Sequence, residues 1–178
     1  MLSFANFLSI LPLYYIIFTT ITTIYSLFLD KRIILHMLFY FFGLMVALFA
    51  PEFVKRLTKV ISPKSLYWYR PKGAKGCDFQ SLKGFAEPFT PGFPSGHMTL
   101  TSYVMIFNIL MTLQKKVKYS NLIILINVLF IIAMGWARYY KKCHNIFQII
   151  GGILLGAIIA KITLNFIEKI TSKNKNKN

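Results

Sequence analysis

Charged positions fall in a few short clusters separated by long apolar runs. Residues 1–29, 33–51, 88–114, 119–137 and 143–160 contain no Asp, Glu, Lys or Arg, and each run is near or above the ~18 to 20 residues that an apolar helix needs to cross a bilayer's hydrocarbon core. The pattern predicts five transmembrane helices, over residues 4–28, 33–50, 95–113, 122–140 and 144–167. The first run lacks a basic leader and exceeds the ~7 to 15 apolar residues of a secretory signal, so it is read as a span. Past Pro51, the residues Phe53, Val54, Leu57, Val60 and Ile61 recur at helical spacing among Lys55, Arg56 and Lys59. This predicts a basic amphipathic extension of the second helix, lying at the membrane interface.

Residues 62–93 form the long polar interval, with four prolines, four glycines and the cluster Tyr67, Trp68, Tyr69. Loops of this length in compact proteins commonly carry function, whereas the aromatic cluster is most simply an interfacial belt. The expected architecture is therefore all-α: an integral membrane bundle of about five transmembrane helices with a long polar active-site loop between the second and third. Residues 1–170 form a single transmembrane domain. Residues 171–178, TSKNKNKN, are too polar to bury anything and are expected to be a disordered tail.

Composition sharpens this picture. Of the 178 residues, 56% are apolar and 15% charged, the mean hydropathy is +0.56, and 21 basic against 5 acidic residues give a net charge of +16. On a soluble chain that charge would suggest nucleic acid; on this one it reflects loops facing anionic lipid headgroups, so the bilayer and not nucleic acid is the expected partner. Two cysteines without zinc-site spacing give no metal site, and nothing in the sequence fixes the oligomeric state.

Alternating crossings put the 52–93 loop and the 138–144 turn on one face. The unusual polar residues gather there: Arg70-Pro71, then Pro94-Ser95-Gly96-His97, then Arg138 followed six positions later by His144. Two guanidinium forks, two imidazoles and a helix N-terminus are what phosphoryl transfer asks for: groups to hold the equatorial oxygens, a nucleophile and a proton donor. His36 has no partner in sequence and is read as structural. The row His144, Gln148, Gly152, Gly156, Ala160 becomes small toward its far end, which suits close helix packing beneath the site.

These three stretches resemble the motifs of the type 2 phosphatidic acid phosphatase superfamily, K-x6-R-P, P-S-G-H and S-R-x5-H-x3-D, in the same order and on the same membrane side, over about residues 50–160. The resemblance implies a PAP2-like enzyme without a metal or other cofactor. It would hydrolyse a phosphate monoester or diphosphate on a membrane lipid, either phosphatidate-like or an isoprenyl diphosphate. In this reading His144 attacks phosphorus to form a phosphohistidine, and His97 protonates the leaving oxygen. Arg70 and Arg138 hold the phosphate, with Ser95 and the Gly96 amide donating to its oxygens.

Three positions depart from the pattern. Ala137 stands for the usual serine. Pro63 occupies the lysine's place, so that Lys64, one residue nearer Arg70, is the expected substitute for phosphate binding. Gln148 stands for the aspartate that orients the nucleophile. Glutamine can accept the imidazole N–H but adds no negative charge, and in this it is similar to the dolichyl-diphosphatase branch. The rival readings are an inactive relative that binds lipid phosphate, motivated by Gln148 and the displaced lysine, and a small structural or channel-forming membrane protein, which leaves the motifs unexplained. With the site residues set aside, basic residues favour the opposite face, predicting a cytosolic C-terminus and a lumenal or extracytoplasmic site. The resemblance also brings Cys77 and Cys143 near the same phosphate, where a disulfide and two free thiols are both open.

Overall fold

The computed structural model describes residues 33–61, 67–74, 77, 90–115 and 118–175, together with Phe7, Tyr14 and Ile17. The span expected over 4–28 lies outside the described residues apart from those three, and Lys64 lies outside them altogether. Four helices make up the described fold: α1 (Ile33–Ile61), α2 (Gly96–Lys115), α3 (Ser120–Tyr140) and α4 (Ile146–Lys175). Each contains a stretch long and apolar enough to cross a membrane: His36–Val60, Gly96–Gln114, Ser120–Tyr140 and Ile146–Ser172.

The distribution of polarity is that of a protein dissolved in lipid. Leu38, Phe42, Phe49, Phe53, Leu125, Leu129, Ile132, Leu154 and Ile158 are exposed, whereas Ser95, Thr99, Thr101, Ser102, Asn127, His144 and Gln148 are buried. In water this would be prohibitive; in a bilayer the polar groups have nowhere better to go. The gradation between helices follows the same logic. The span of α2, with mean hydropathy 1.2, is the most buried at 56%, and that of α3, with mean hydropathy 2.1, is the least at 17%. Thus α2 occupies the centre and packs on all three other helices.

Helix directions follow from which residues meet. Tyr103 of α2 donates its hydroxyl to the Tyr40 carbonyl of α1 at 2.7 Å, while Gly96 at the start of α2 stands beside Pro51 and Lys55 further along α1, so the two helices run antiparallel. Gly152 of α4 lies against Ser95 and Met98, and Gly156 against Thr99 and Tyr103, so α2 and α4 run parallel. The end of α1, the start of α2, the end of α3 and the start of α4 therefore share one end of the bundle.

Of the two helix ends that sequence left in question, the continuation past Pro51 is as expected and the C-terminal end is not. Pro51 is fully buried inside an uninterrupted α1, and the amphipathic stretch beyond it is the last part of this same membrane helix. A proline removes one backbone hydrogen bond, a loss that helices packed in a membrane tolerate. At the other terminus, α4 continues to Lys175, five residues into the segment expected to be disordered. Polar contacts hold it: Thr171 donates to the Ile167 carbonyl at 2.8 Å and meets His36 Nε2 of α1 at 3.2 Å, and Gln114 of α2 donates to Glu168. His36 thus has the structural partner that its sequence context did not reveal.

Candidate active site

The loop carrying Arg70 is held by a short antiparallel pairing. The Arg70 amide donates to the Thr90 carbonyl at 3.1 Å, the Gly92 amide donates to the Trp68 carbonyl at 2.6 Å, and Tyr69 faces Pro91 in an isolated bridge. Gly92 is required for closeness: a Cβ there would stand 2.6 Å from Gln148 Oε1 and 3.0 Å from Arg70 Cγ. Trp68 packs edge-on against Phe93 and Phe147, with ring centroids 4.7 and 5.8 Å apart. Part of the expected aromatic belt therefore clamps the loop to the start of α4.

Immediately after this pairing, Pro94 and Ser95 are buried and α2 begins at Gly96. The Ser95 amide donates to the Gln148 carbonyl at 3.0 Å, fastening the head of α2 to α4. Gly152 makes this possible, since a Cβ there would stand 2.7 Å from the Ser95 carbonyl oxygen. Ser95 Oγ is buried without a hydrogen-bond partner among the described residues, and the first-turn amides of α2 are free of intrahelical acceptors by helix geometry.

His144 is reached by a tight reversal at the end of α3. The Arg138 carbonyl accepts from the amides of Cys143 (3.0 Å) and His144 (3.4 Å), and Lys142 adopts a left-handed conformation with φ of 54°. Six positions separate Arg138 from His144 because the chain must finish one helix, turn and start the next. Asn145 then caps α4, its Oδ1 accepting from the Gln148 amide at 2.9 Å, the usual geometry of an asparagine N-cap.

Gln148 is fully buried and its amide is oriented by its partners. Nε2 donates to the carbonyls of Tyr67 at 3.1 Å and Tyr69 at 2.7 Å, which uses both of its hydrogens. The opposite orientation would set oxygen against two carbonyl oxygens. Oε1 therefore faces His144 Nδ1 at 3.0 Å, and because a carbonyl can only accept, the proton lies on Nδ1. The Nε2 lone pair of His144 is then available for chemistry. Burial, followed by the charges of Arg138 and Arg70, holds the pKa of His144 well below 6.5, with the Gln148 hydrogen bond opposing them. The ring is neutral at physiological pH.

Arg138 is 1% exposed, and its Nη2 donates to the Cys77 carbonyl at 2.5 Å. Cys77 is bridged to Cys143, with a Cα–Cα distance of 5.4 Å, joining the first-motif loop to the residue before His144. The choice left open by sequence resolves to the disulfide.

Arg70, Gly96, His97 and His144 line one pocket of about 160 Å³, with Leu48 and Leu100 as apolar walls. Ser95, Arg138 and Gln148 stand behind this lining and support it. The lining residue that sequence reasoning missed is Lys55 of α1, accompanied by Glu52. Its basic, apolar surroundings in sequence are those of any interfacial helix, and nothing local marks it as turned inward.

Two histidines and two arginines thus gather at one end of a bundle of membrane-length helices. The PAP2 superfamily model matches residues 36–172, and the chain belongs to that superfamily. Its fold is similar to that of a transmembrane PAP2-type phosphatidylglycerolphosphate phosphatase from Bacillus subtilis, with a TM-score of 0.64 and 17% sequence identity, covering 95% of this chain and 77% of that one. No curated protein matches the sequence. The protein is thus an integral membrane member of a lipid-phosphatase superfamily.

Proposed function

We propose that this protein hydrolyses a phosphate ester, monoester or diphosphate, at the head of a membrane lipid through a phosphohistidine on His144, with the site on the lumenal or extracytoplasmic face. The observation that carries the reading is the tautomer of His144: Nδ1–H donates to Gln148 Oε1, which leaves the lone pair of the neutral ring on Nε2 as the nucleophile. A glutamine in place of the family's aspartate thus still performs the orienting task, which argues against an inactive relative.

The reaction divides into two steps. The substrate phosphate occupies the pocket with Arg70 against its oxygens, the Arg138 charge behind it and the Gly96 amide at the head of α2 donating to it. Ser95 Oγ, buried without a partner, gains an acceptor in the same way, which offsets the ~1 to 3 kcal/mol that an unsatisfied buried hydroxyl costs. His144 Nε2 attacks phosphorus as the ester P–O bond breaks, and His97 gives its proton to the departing oxygen. In the second step neutral His97 takes a proton from water, whose oxygen attacks the phosphohistidine. This releases inorganic phosphate and restores both imidazoles. The sequence of steps calls on no metal.

The Cys77–Cys143 bridge supports the extracytoplasmic placement, because disulfides persist in oxidising compartments. The direct test presents purified protein in EDTA with a panel of lipid monophosphates and diphosphates and measures phosphate release. Release by the wild type and its loss in His144→Ala are expected; silence across the panel would overturn the reading. His97→Ala should retain turnover only on esters whose leaving group needs no proton.

A further inference from the structure

Three features of the molecule lie outside the mechanism above. One is an apolar groove between α1 and α4, lined by Phe39, Phe42, Ile159 and Phe166, and nothing marks what would cover it. Another is the disulfide, whose role is already that of a clamp. The third, Lys55, is inside the reaction pocket and unused.

Lys55 projects from α1, one turn beyond Pro51 and fifteen residues before Arg70. Its side chain is 12% exposed, although the helix around it faces lipid at Phe49 and Phe53. Its Nζ lies 3.9 Å from the point where a Cβ would stand on Gly96, which puts the ammonium over the first residue of α2, beside the amides that open that helix. It lines the same pocket as Arg70, His97 and His144, and its charge is among those that depress the pKa of His144. Glu52 holds it through an ion pair of 2.5 Å, but the Glu52 side chain is itself 61% exposed at the rim. The ammonium stands in a pocket that Arg70 also lines and behind which Arg138 is buried, so positive charge gathers at one point. Multiply charged phosphate oxygens are the ligand that such a gathering of cations attracts.

Resting on the phosphatase reading, we propose that Lys55 is a substrate-binding residue of this site: a membrane helix supplies a further cation to the lipid phosphate beside those of Arg70 and Arg138. Glu52 is its positioning partner. With no phosphate in the pocket, the carboxylate keeps the ammonium extended along the pocket wall. With phosphate present, one N–H of the ammonium donates to a phosphate oxygen while another keeps the contact with Glu52, as three donors allow. No proton changes hands. Because Glu52 is negative and stands at the rim, neutralising it strengthens the pull of the pocket on anions.

The experiment compares wild type, Lys55→Ala, Lys55→Gln, Lys55→Arg, Glu52→Gln and Lys59→Ala, using phosphate release from lipid phosphates and, independently, orthovanadate binding followed by the shift in melting temperature. Loss of a charge-assisted hydrogen bond predicts that Lys55→Ala and Lys55→Gln lower kcat/KM about 10- to 100-fold, mainly through KM, and weaken vanadate binding similarly. Lys55→Arg should recover part of both. Glu52→Gln should tighten vanadate binding, and the exposed Lys59→Ala should leave both readouts unchanged. The melting temperature without vanadate separates misfolding from lost binding, and Lys55→Gln keeps most of the side chain and a polar end where Lys55→Ala fails to fold. A wild type that releases phosphate, with folded Lys55 variants within twofold of it in kcat/KM and vanadate affinity, would overturn the inference. A wild type that releases none would count against the phosphatase reading instead, and vanadate binding that still depends on Lys55 would leave the phosphate contact standing alone.

Discussion

Gln148 performs two tasks with one amide: its NH2 group ties down the backbone of residues 67 and 69, and its oxygen sets the tautomer of His144, the proposed nucleophile. The proposed attack requires neutral His144, whose pKa lies below 6.5 through burial and the charges of Arg138 and Arg70. Protonation on the acid side removes the nucleophile, so the acid limb of kcat/KM in the wild type should lie below the pH of an ordinary histidine. Gln148→Glu places a carboxylate against the imidazole and favours its charged form, which raises the pKa and moves that limb about one pH unit or more upward. A pH profile unchanged by the substitution would show that Gln148 does not govern His144. Half of this arrangement was legible in the sequence: position 148 lies one helical turn after His144, so a contact between them follows from helix geometry. The contacts to residues 67 and 69 cross some eighty positions, and no local pattern encodes them. Lys55 was missed for a related reason, since helical spacing alone does not say which way a basic residue near the membrane surface turns.

Among the elements, the junction of α2 with α4 sets the geometry on which the site depends. Gly152 and Gly156 bring the two backbones together, and a Cβ at Gly156 would stand 2.5 Å from the Thr99 carbonyl oxygen and 2.8 Å from the Tyr103 amide. Gly152→Val or Gly156→Val must therefore wedge α4 away from the head of α2, at a cost of roughly 1 to 3 kcal/mol or more. Thermal unfolding in detergent should show both variants melting lower, with kcat reduced because His144 moves with α4. Gly135→Ala is the contrast: the nearest atom to its new methyl would be 3.5 Å away, an ordinary contact, so its melting temperature should stay close to that of the wild type. The small-residue row was visible beforehand as a packing surface, because spacing by four places residues on one helix face. The end of α4 was less legible. The polar run after Thr171 reads as disorder only if His36 and its helix are out of sight, whereas the helical spacing past Pro51 already carried α1 through the proline.

For the molecule as a whole, the Cys77–Cys143 bridge closes a separation of 66 residues at the end of the bundle that carries the pocket. Restricting a loop of that size in the unfolded chain contributes on the order of 4 kcal/mol, and in the folded protein it holds the Cys77 carbonyl against Arg138 and Cys143 beside His144. Cys77→Ser or Cys143→Ser should lower both the melting temperature and kcat. Alkylation before reduction, followed by mass spectrometry, should find neither thiol accessible in protein from oxidising membranes. The class of fold was readable because charge-free runs of bilayer length leave few alternatives, whereas the pocket was readable only as a set of motifs, since its walls come from α1, the loop at Arg70, α2 and the α3–α4 turn together. The proposed reaction turns on one bond, between phosphorus and Nε2 of His144. Single-turnover reaction with a lipid phosphate labelled at phosphorus, quenched in alkali and digested to peptides, should recover acid-labile, alkali-stable label on the peptide containing His144, absent from His144→Ala. Steady release of phosphate with no label on that histidine, or turnover at the wild-type rate by His144→Ala, would contradict the account.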